Sequence, residues 1–494
     1  MAACGPAAAH RWRGERARAI EPPRGRRYSA AVSEPVETQD RSRDLTGLAG
    51  RERTPGLVLI FAAGRPAAAV VGLDGVGGEL GRQHPIFDER PDGRVSRRHA
   101  RVSFEEGRCM VTDLGSHNGT EVDGVRLAPH APTRLAQVLR VGDSLFVPVL
   151  DVEAFRRLGV RVAGGRVEGP ALQEVIQATT TASRAGPILH ITGESGAGKE
   201  GLALSFHAAG PAPGGPFQAV NCAAIPEGVA ERLLFGAKRG AYSGADTDAV
   251  GYIQAADGGT LFLDEVAELG LPVQAKLLRV LETGEVLALG AARPRKVALR
   301  FCSATHRDLR AQVAAGHLRE DLYFRIASPR VAVPPLRLRL EEIPWLLQGE
   351  VERTAPGLEI HVSLVETCLL RPWPGNVREL CAEARCAVQV ALAEGAARVE
   401  ARHVGETAGL AFSAPVKPMD GAAPEAARKG PPAPQAPPTR EQLVGLLKRF
   451  RGNVSAAARE RGVHRTQLRR WIEDHGLDTR AFVPGARAKP DDGA

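Results

Sequence analysis

Alternation of apolar and polar positions dominates the region from residue 55 to residue 150. "HARVSFEEGRCMVTDL", residues 99–114, alternates, pauses at a Glu-Glu-Gly turn and resumes, the pattern of a hairpin. "RVGDSLFVPVLDV", residues 140–152, supplies another turn and strand. Short strands between Gly/Asp turns predict an all-β sandwich over 55–150. Over residues 166–405 the rhythm changes. Helical stretches alternate with short buried-strand runs, "PILHIT", "GGTLFLDE" and "VALRFCSAT". That rhythm predicts an α/β fold with a parallel sheet covered by helices.

Residues 406–438 form a Pro/Ala-rich spacer with no core-forming pattern. After it, Thr439 and Gln442 fit a capping box, and Leu443, Leu446, Leu447 and Phe450 form a helical stripe. "GNVSAAARERGVHRTQLRRWIEDHG" then reads as helix–turn–helix, so residues 439–478 predict a small all-α domain. Asn453 caps its first helix, Ala457 sits where two helices cross, Gly462 makes the turn, and Val463, Leu468 and Ile472 face the core. Residues 1–54 and 479–494 show no such pattern and are expected to be disordered, the alternative for the former being an upstream extension that is not translated.

At 494 residues more than one domain is expected. Lys and Arg total 65 against 57 acids, a net +8 that permits nucleic-acid binding without establishing it. The seven cysteines include no CxxC pair and read as free thiols of a reducing compartment. No apolar run reaches the ~18 residues of a membrane helix. "GLVLIFAAGRPAAAVVGL", residues 56–73, comes nearest and is broken by Arg65 and Pro66. Residues 1–50 lack the apolar stretch of a secretory signal. A cytoplasmic protein with no membrane partner is expected.

Candidate chemistry begins at "PILHITGESGAGKE". An apolar strand is followed by Gly193, Glu194, Ser195, Gly196, Ala197, Gly198 and Lys199. Such glycines let backbone N–H groups wrap a phosphate, the next helix aims its N-terminus at it, and Lys199 reaches the outer phosphates. Glu200 stands where a Ser or Thr often helps to hold Mg²⁺. "GGTLFLDE" ends a strand in Asp264, expected near Mg²⁺, and Glu265, expected to orient or activate water. "VALRFCSATHRDL" ends in Thr305-His306, where a polar group can sense the γ-phosphate. Arg319 and Arg325 lie six residues apart in "HLREDLYFRI", the residue type that stabilises phosphoryl-transfer charge across a subunit boundary. Arg378 falls in the first turn of a helix, where a cation opposes the dipole and an external anion would offset it.

These segments, with "NCAAIPE", "GAYSGA", "LPVQAKLLRVLE", "PPLR" and "WPGNVREL", resemble the AAA+ ATPase domain of sigma-54-dependent transcription activators over about 240 residues. The resemblance implies a P-loop ATPase with a helical lid that uses ATP and Mg²⁺. It implies Lys199 in Walker A, Asp264 and Glu265 in Walker B, Arg319 and Arg325 as arginine fingers, and Arg378 as sensor II. Glu200 is the residue this family usually carries. His306 departs from the commoner Asn at sensor I. The family's Gly-Ala-Phe-Thr-Gly-Ala loop, which contacts sigma-54, corresponds to Gly240, Ala241, Tyr242, Ser243, Gly244 and Ala245. Both changes keep the side-chain character, an aromatic and a hydroxyl.

The N-terminal block resembles a forkhead-associated (FHA) domain, through "ELGRQ", "VSRRHA" and "DLGSHNGTEVDG". It implies a phosphothreonine site in which Arg82 pairs with phosphate, Ser96 donates its hydroxyl, Arg97 adds charge and Asn118 fixes the ligand backbone. His99 braces the loop. The last block resembles a Fis-type DNA-binding domain whose exposed helix offers Arg465, Gln467, Arg469 and Arg470 to bases and phosphates.

Together these features predict an ATP-driven activator that assembles as a homo-oligomer, dimer to hexamer. It would bind upstream enhancer DNA, act on sigma-54 RNA polymerase holoenzyme, and answer to a phosphothreonine-bearing protein or a Ser/Thr kinase. No receiver-like acidic phosphorylation site is present, so two-component input is not expected. Two other readings stay open: an ATP- and DNA-binding regulator that no longer contacts sigma-54, and a phosphopeptide-reading DNA adaptor with a spent ATPase.

Overall fold

A computed structural model describes residues 54–73, 77–105, 108–242, 246–411, 438–450, 453–460 and 465–478. The described residues up to 411 form one compact unit and those from 438 onward a second.

The first unit opens with two antiparallel sheets. One runs in the order β2-β1-β10-β9-β6-β7, from β1 (Gly56–Ala62), β2 (Arg65–Gly72), β6 (Thr120–Val122), β7 (Val125–Arg126), β9 (Leu139–Val141) and β10 (Ser144–Val149). The other runs β3-β4-β5-β8, from β3 (Gly78–Leu80), β4 (Ala100–Glu105), β5 (Arg108–Asp113) and β8 (Thr133–Leu135). The β4–β5 hairpin pairs Ala100 with Asp113 and Phe104 with Cys109, in the alternating stretch that predicted it. Leu57, Leu59, Val102, Val111 and Phe146 fill the space between the sheets.

A parallel sheet follows, in the order β12-β13-β14-β11-β15. Its strands are β11 (Ile188–Thr192), β12 (Phe217–Asn221), β13 (Thr260–Asp264), β14 (Arg300–Thr305) and β15 (Arg330–Ala332). Both faces are covered, which is why β13 and β14 read as continuous apolar runs. On one face lie α1 (Pro170–Ala185) and α2 (Lys199–Ala208), through Leu172, Leu202 and Phe206. On the other lie α3 (Glu227–Phe235), α4 (Leu271–Thr283) and α5 (Glu320–Ile326), through Leu234, Leu277 and Leu322.

A helical lid, α6 (Ile343–Thr354), α7 (Val362–Leu369) and α8 (Asn376–Ala393), completes the unit. It packs against the β sandwich as well as the parallel-sheet core. Val58, Ile60, Phe61, Leu145 and Val147 share one apolar cluster with Ile343, Leu347, Val365 and Leu369. All seven residues of β1 are buried, Leu57, Leu59 and Ala62 toward the sandwich interior and Val58, Ile60 and Phe61 toward the lid, with a register shift between Leu59 and Phe61 where the alternation changes phase. The unbroken apolar run of β1 therefore reflects burial on two faces.

In the second unit α9 (Arg440–Arg449) is followed by α10 (Val454–Glu460) and α11 (Arg465–Asp474). The Gln442 N–H donates to Thr439 Oγ1 at 3.4 Å, and the Thr439 N–H donates to Gln442 Oε1 at 3.2 Å, closing the capping box. Leu443, Leu447, Ala457, Leu468 and Ile472 are buried together, joined by Trp471, which sequence reasoning had not placed. The expected roles of Gly462 and Val463 lie outside the described residues, as do residues 1–53, 479–494 and most of the spacer.

Candidate functional site

The phosphate loop spans Gly193 to Gly198, between β11 and α2. Gly196 has φ of 73°, and a Cβ there would lie 2.1 Å from the Gly375 carbonyl oxygen, so only glycine fits. Lys199 opens α2, is buried, and donates to the Gly193 carbonyl and to Glu265 Oε1, both at 3.1 Å. Ser195 and Glu200 are exposed.

Glu265 sits just past β13 in the left-handed region, φ 52°. Its Oε2 accepts from Thr305 Oγ1 at 3.0 Å and from the His306 N–H at 3.2 Å, and lies 2.8 Å from His306 Nδ1. The structure thus brings together Lys199, Glu265 and His306 from the ends of three parallel strands. Burial pushes the Glu265 carboxyl up, but Lys199 and His306 outweigh it and hold it below the usual range. Asp264 goes the other way: burial raises its carboxyl, against the pull of Lys199 and with the Glu265 charge adding to the rise. Two adjacent carboxyls are driven apart, one toward firm ionisation and one toward easier protonation.

Several residues of this site were absent from the sequence reading. Arg337 forms a two-pronged pair with Glu194 of the phosphate loop, at 2.8 and 2.6 Å. Asn376, buried and at φ 53°, donates from Nδ2 to Glu194 Oε2 at 3.1 Å and to the Ser195 carbonyl at 3.0 Å. Its Oδ1 accepts from the Leu336 N–H at 2.8 Å. Arg339, buried beside Glu342 at 2.7 Å, donates to the Ala197 carbonyl at 3.0 Å. Arg337 and Asn376 lie inside the quoted motifs "PPLR" and "WPGNVREL", which is the signal that marked them. Arg378, at the third position of α8, reaches Ser195 Oγ at 3.3 Å, so this lid arginine does face the phosphate loop.

Arg319 and Arg325 are placed elsewhere. Arg319 makes a two-pronged pair with Asp321, and Arg325 donates to the Leu281 carbonyl. Phe324 stands between them, 72 % exposed.

The loop bearing Tyr242 leaves the domain through a clasp. Ala237 and Ala249 bridge, Lys238 pairs with Asp248, and the Arg239 N–H donates to Asp248 at 2.9 Å. Tyr242 Oη accepts from Arg232 Nη1 at 2.8 Å, and that guanidinium lies 5.4 Å from the ring centroid. Ser243, Gly244 and Ala245 lie outside the described residues.

At the sandwich edge, Arg82 is exposed and held by the Val95 carbonyl at 2.8 Å and the Gly93 carbonyl at 3.1 Å. Ser96 Oγ accepts from the His117 N–H at 3.0 Å, and Asn118 Nδ2 donates to the Arg94 carbonyl at 2.7 Å. Gly81 is required here, since a Cβ would meet the Arg97 carbonyl oxygen at 2.0 Å. His99 is buried, accepts from the Ser96 N–H at 2.9 Å and reaches the Gly119 carbonyl at 3.1 Å, so it ties the loops together. Arg82, Ser96 and Asn118 therefore come from loops that share hydrogen bonds, and Arg97 is exposed beside them.

A family model described as the sigma-54 interaction domain matches residues 166–332, and one described as the FHA domain matches residues 78–142. The chain thus carries a sigma-54 interaction domain and an FHA domain. It is 44 % identical over 298 residues to the acetoin catabolism regulatory protein of Cupriavidus necator, 59 % of this chain and 44 % of that protein. Over 218 residues it is 44 % identical to the DNA-binding transcriptional regulator NtrC of Salmonella typhimurium, 43 % of this chain and 46 % of that one. The chain spans about half the length of these curated relatives. A crystal structure of NtrX from Brucella abortus is 29 % identical, with a TM-score of 0.45 over 62 % of this chain and 68 % of that one.

Among the described residues no helix is long and apolar enough to cross a membrane. On α11, Arg469 and Arg470 are exposed, while the side chains of Arg465 and Gln467 lie outside the described residues.

Proposed function

We propose that this chain is a cytoplasmic, ATP-driven activator of sigma-54 RNA polymerase holoenzyme, gated by phosphothreonine recognition at its FHA edge. The observation that carries the reading is the meeting of Lys199, Glu265 and His306 beside the phosphate loop. A lysine and an ionised carboxylate at a glycine cradle suit phosphoryl transfer to water.

ATP enters the cradle, and Lys199 exchanges Glu265 and the Gly193 carbonyl for the outer phosphates. Glu265 then orients the attacking water and accepts its proton. Thr305 and His306 hold the carboxylate for that task. Asp264 offers a hard oxygen donor suited to Mg²⁺, with exposed Glu200 in the next turn. When bound, Mg²⁺ supplies charge neutralisation on the phosphates. Arg378 brings the lid to the nucleotide.

Arg319, Arg325 and the exposed Phe324 lie away from their own phosphate loop and serve a second copy in a homo-oligomer, dimer to hexamer. An apolar ring flanked by arginines is suited to burial at such an interface. The 240–245 loop contacts sigma-54. The helices of 439–478 form a Fis-type helix–turn–helix that binds upstream enhancer DNA through Arg465, Gln467, Arg469 and Arg470. At the sandwich, Arg82, Ser96, Arg97 and Asn118 bind a phosphothreonine-bearing protein or Ser/Thr kinase. The domain limits proposed are those of the sequence: 55–150, 166–405 and 439–478.

The test is open-complex formation by the purified chain with sigma-54 holoenzyme, with ATP and with a Glu265→Gln variant. Opening that requires both ATP and Glu265 supports the reading. ATP hydrolysis without opening, at any phosphothreonine supplement, sinks the sigma-54 assignment. An absence of hydrolysis sinks the motor itself and favours the DNA adaptor.

A further inference from the structure

The sandwich is welded to the lid. The face of β1 and β10 that looks away from the sandwich interior is apolar and packs on α6 and α7, through Val58, Ile60 and Val147 against Ile343 and Val365. Beside this apolar contact lies a charged cluster. Arg140, with 17 % of its side chain exposed, meets Glu366 of α7, 10 % exposed, at 2.9 Å from Nη1 to Oε2, and the same Nη1 lies 3.4 Å from Oε2 of Glu121, 30 % exposed. The other oxygen, Glu366 Oε1, is buried without a hydrogen-bond partner among the described residues. Arg140 is therefore the group that keeps this carboxylate compensated in the interface.

The same arginine faces the ligand loops. Its Nη2 lies 3.7 Å from Asp143 Oδ1, and that oxygen lies 3.3 Å from Arg94 Nη1. The carbonyl of Arg94 is the acceptor for Asn118 Nδ2, and the Asp143 N–H donates to Asp92 Oδ2 at 2.8 Å. On the lid side, the Trp373 indole donates to the Cys368 carbonyl of α7 at 2.7 Å. The Asn376 N–H donates to the Trp373 carbonyl at 2.8 Å, and the Asn376 side chain holds Glu194 and Ser195 of the phosphate loop.

We propose that Arg140 is a positioning residue that couples the Arg94–Asn118 ligand loops to the lid through Glu366, so that the FHA edge and the nucleotide site share one conformational equilibrium. The input side rests on the phosphothreonine reading given above; the coupling itself rests on the shared core and the charged pair. The sandwich is then a fixed part of the lid. A change at the ligand loops redistributes Asp143 and Arg140, alters the compensation of Glu366, and shifts how α7 and Asn376 present the lid to ATP. Coupling between binding sites is reciprocal, so nucleotide must also act on the ligand loops.

That reciprocity allows a test needing no natural ligand. Hydrogen exchange of amides 92–97 and 114–119 is measured in the full chain with and without ATPγS. The variants are Arg140→Lys and the pair Arg140→Gln/Glu366→Gln, which removes both charges so that neither is left buried alone. ATPγS is expected to change exchange in these loops threefold or more in the natural chain. The effect is expected to persist in Arg140→Lys and to vanish in the double variant, with its melting transition retained. Unchanged exchange in the natural chain overturns the proposal whatever the variants do, and so does an undiminished effect in a folded double variant.

A second arm uses a degenerate phosphothreonine nonapeptide library. It is expected to shift ATPγS affinity by about fivefold or more in the natural chain, at the low end of ordinary allosteric coupling, and not in the double variant. A library that fails to bind at all sinks the phosphothreonine reading, while the ATPγS arm still decides the coupling.

Discussion

Lys199 Nζ and Glu265 Oε1 lie 3.1 Å apart, the lysine almost wholly buried and the carboxylate nearly so. Each charge compensates the other at the place where a phosphate and a water would sit. Removing the two should therefore have different consequences. Lys199→Ala is expected to abolish nucleotide binding and leave Glu265 short of a partner. Glu265→Gln is expected to keep binding while lowering hydrolysis by about 10²-fold or more, as for loss of a general base. Fluorescent-nucleotide titration beside steady-state phosphate release separates the two. A Glu265→Gln variant that hydrolyses ATP within threefold of the natural chain removes this carboxylate from the chemistry.

His306 shares Oε2 of Glu265 with Thr305. His306→Asn retains a donor and is expected to hydrolyse ATP within about fivefold of the natural chain. His306→Leu removes one hydrogen bond to a charged group, about 1.5–3 kcal/mol, and is expected to cost about tenfold or more in kcat. Equal rates in the two variants would leave the imidazole without a part in positioning.

Asn376 is buried at positive φ with three elements tied to its amide: the phosphate loop, the turn after Trp373 and the segment entering Leu336. Asn376→Ala loses those bonds and keeps the backbone strain. The expected cost is about 3 kcal/mol, read as a shift in urea midpoint, together with a raised KM for ATP. Asn376→Gly relieves the strain and is expected to recover part of the stability but not the KM.

His190, buried in the middle of β11, has its imidazole pushed down to about 4, chiefly by burial and then by the Arg330 charge. Its Nδ1 lies 2.9 Å from Ser303 Oγ, and Nε2 has no hydrogen-bond partner among the described residues. The unfolded imidazole takes up a proton near pH 6.5 while the folded one resists until about 4. Its stabilising contribution is thus full above about pH 6.5 and is lost as pH falls toward 4, about 2 kcal/mol of it by pH 5. Urea unfolding at pH 7.5 and pH 5 is expected to show that loss, and His190→Gln to shrink it. An identical pH dependence in the variant would mean that other groups set it.

Arg232 holds Tyr242 by one hydrogen bond and one ring contact, with Tyr242 still 39 % exposed. Tyr242→Phe removes the bond and keeps the ring. A net loss of about 1 kcal/mol corresponds to roughly fivefold freer opening of the loop base, expected as a similar rise in the rate of proteolytic nicking there. ATP hydrolysis is expected to stay unchanged. No rise in nicking would show that the phenol does not hold the loop.

The candidate sites of this protein are legible in sequence wherever they are local. A glycine loop between strand and helix, two acids ending a strand, and three loop motifs in order are written in consecutive residues, because backbone conformation and strand ends are set by near neighbours. The capping box at Thr439 and the β4–β5 hairpin follow for the same reason. Asn376 was within reach, since it lies in a quoted motif, but its role is not, because the groups it joins come from three distant segments.

What only the tertiary structure decided is how these blocks meet. Composition marked "GLVLIFAAGRPAAAVVGL" as apolar and broken, and said nothing of which faces it would cover. Burial of β1 on both sides requires a second apolar surface, and that surface is supplied by α6 and α7, some 280 residues later in the chain. Likewise Arg140 and Glu366 are ordinary charged residues in sequence, separated by 226 positions, and become a pair only when sandwich and lid close on one core. Periodicity tells which side of an element is apolar. It cannot tell what will cover that side, since burial is a non-directional gain that many partners satisfy, and the choice among them is made by the packing of the whole unit.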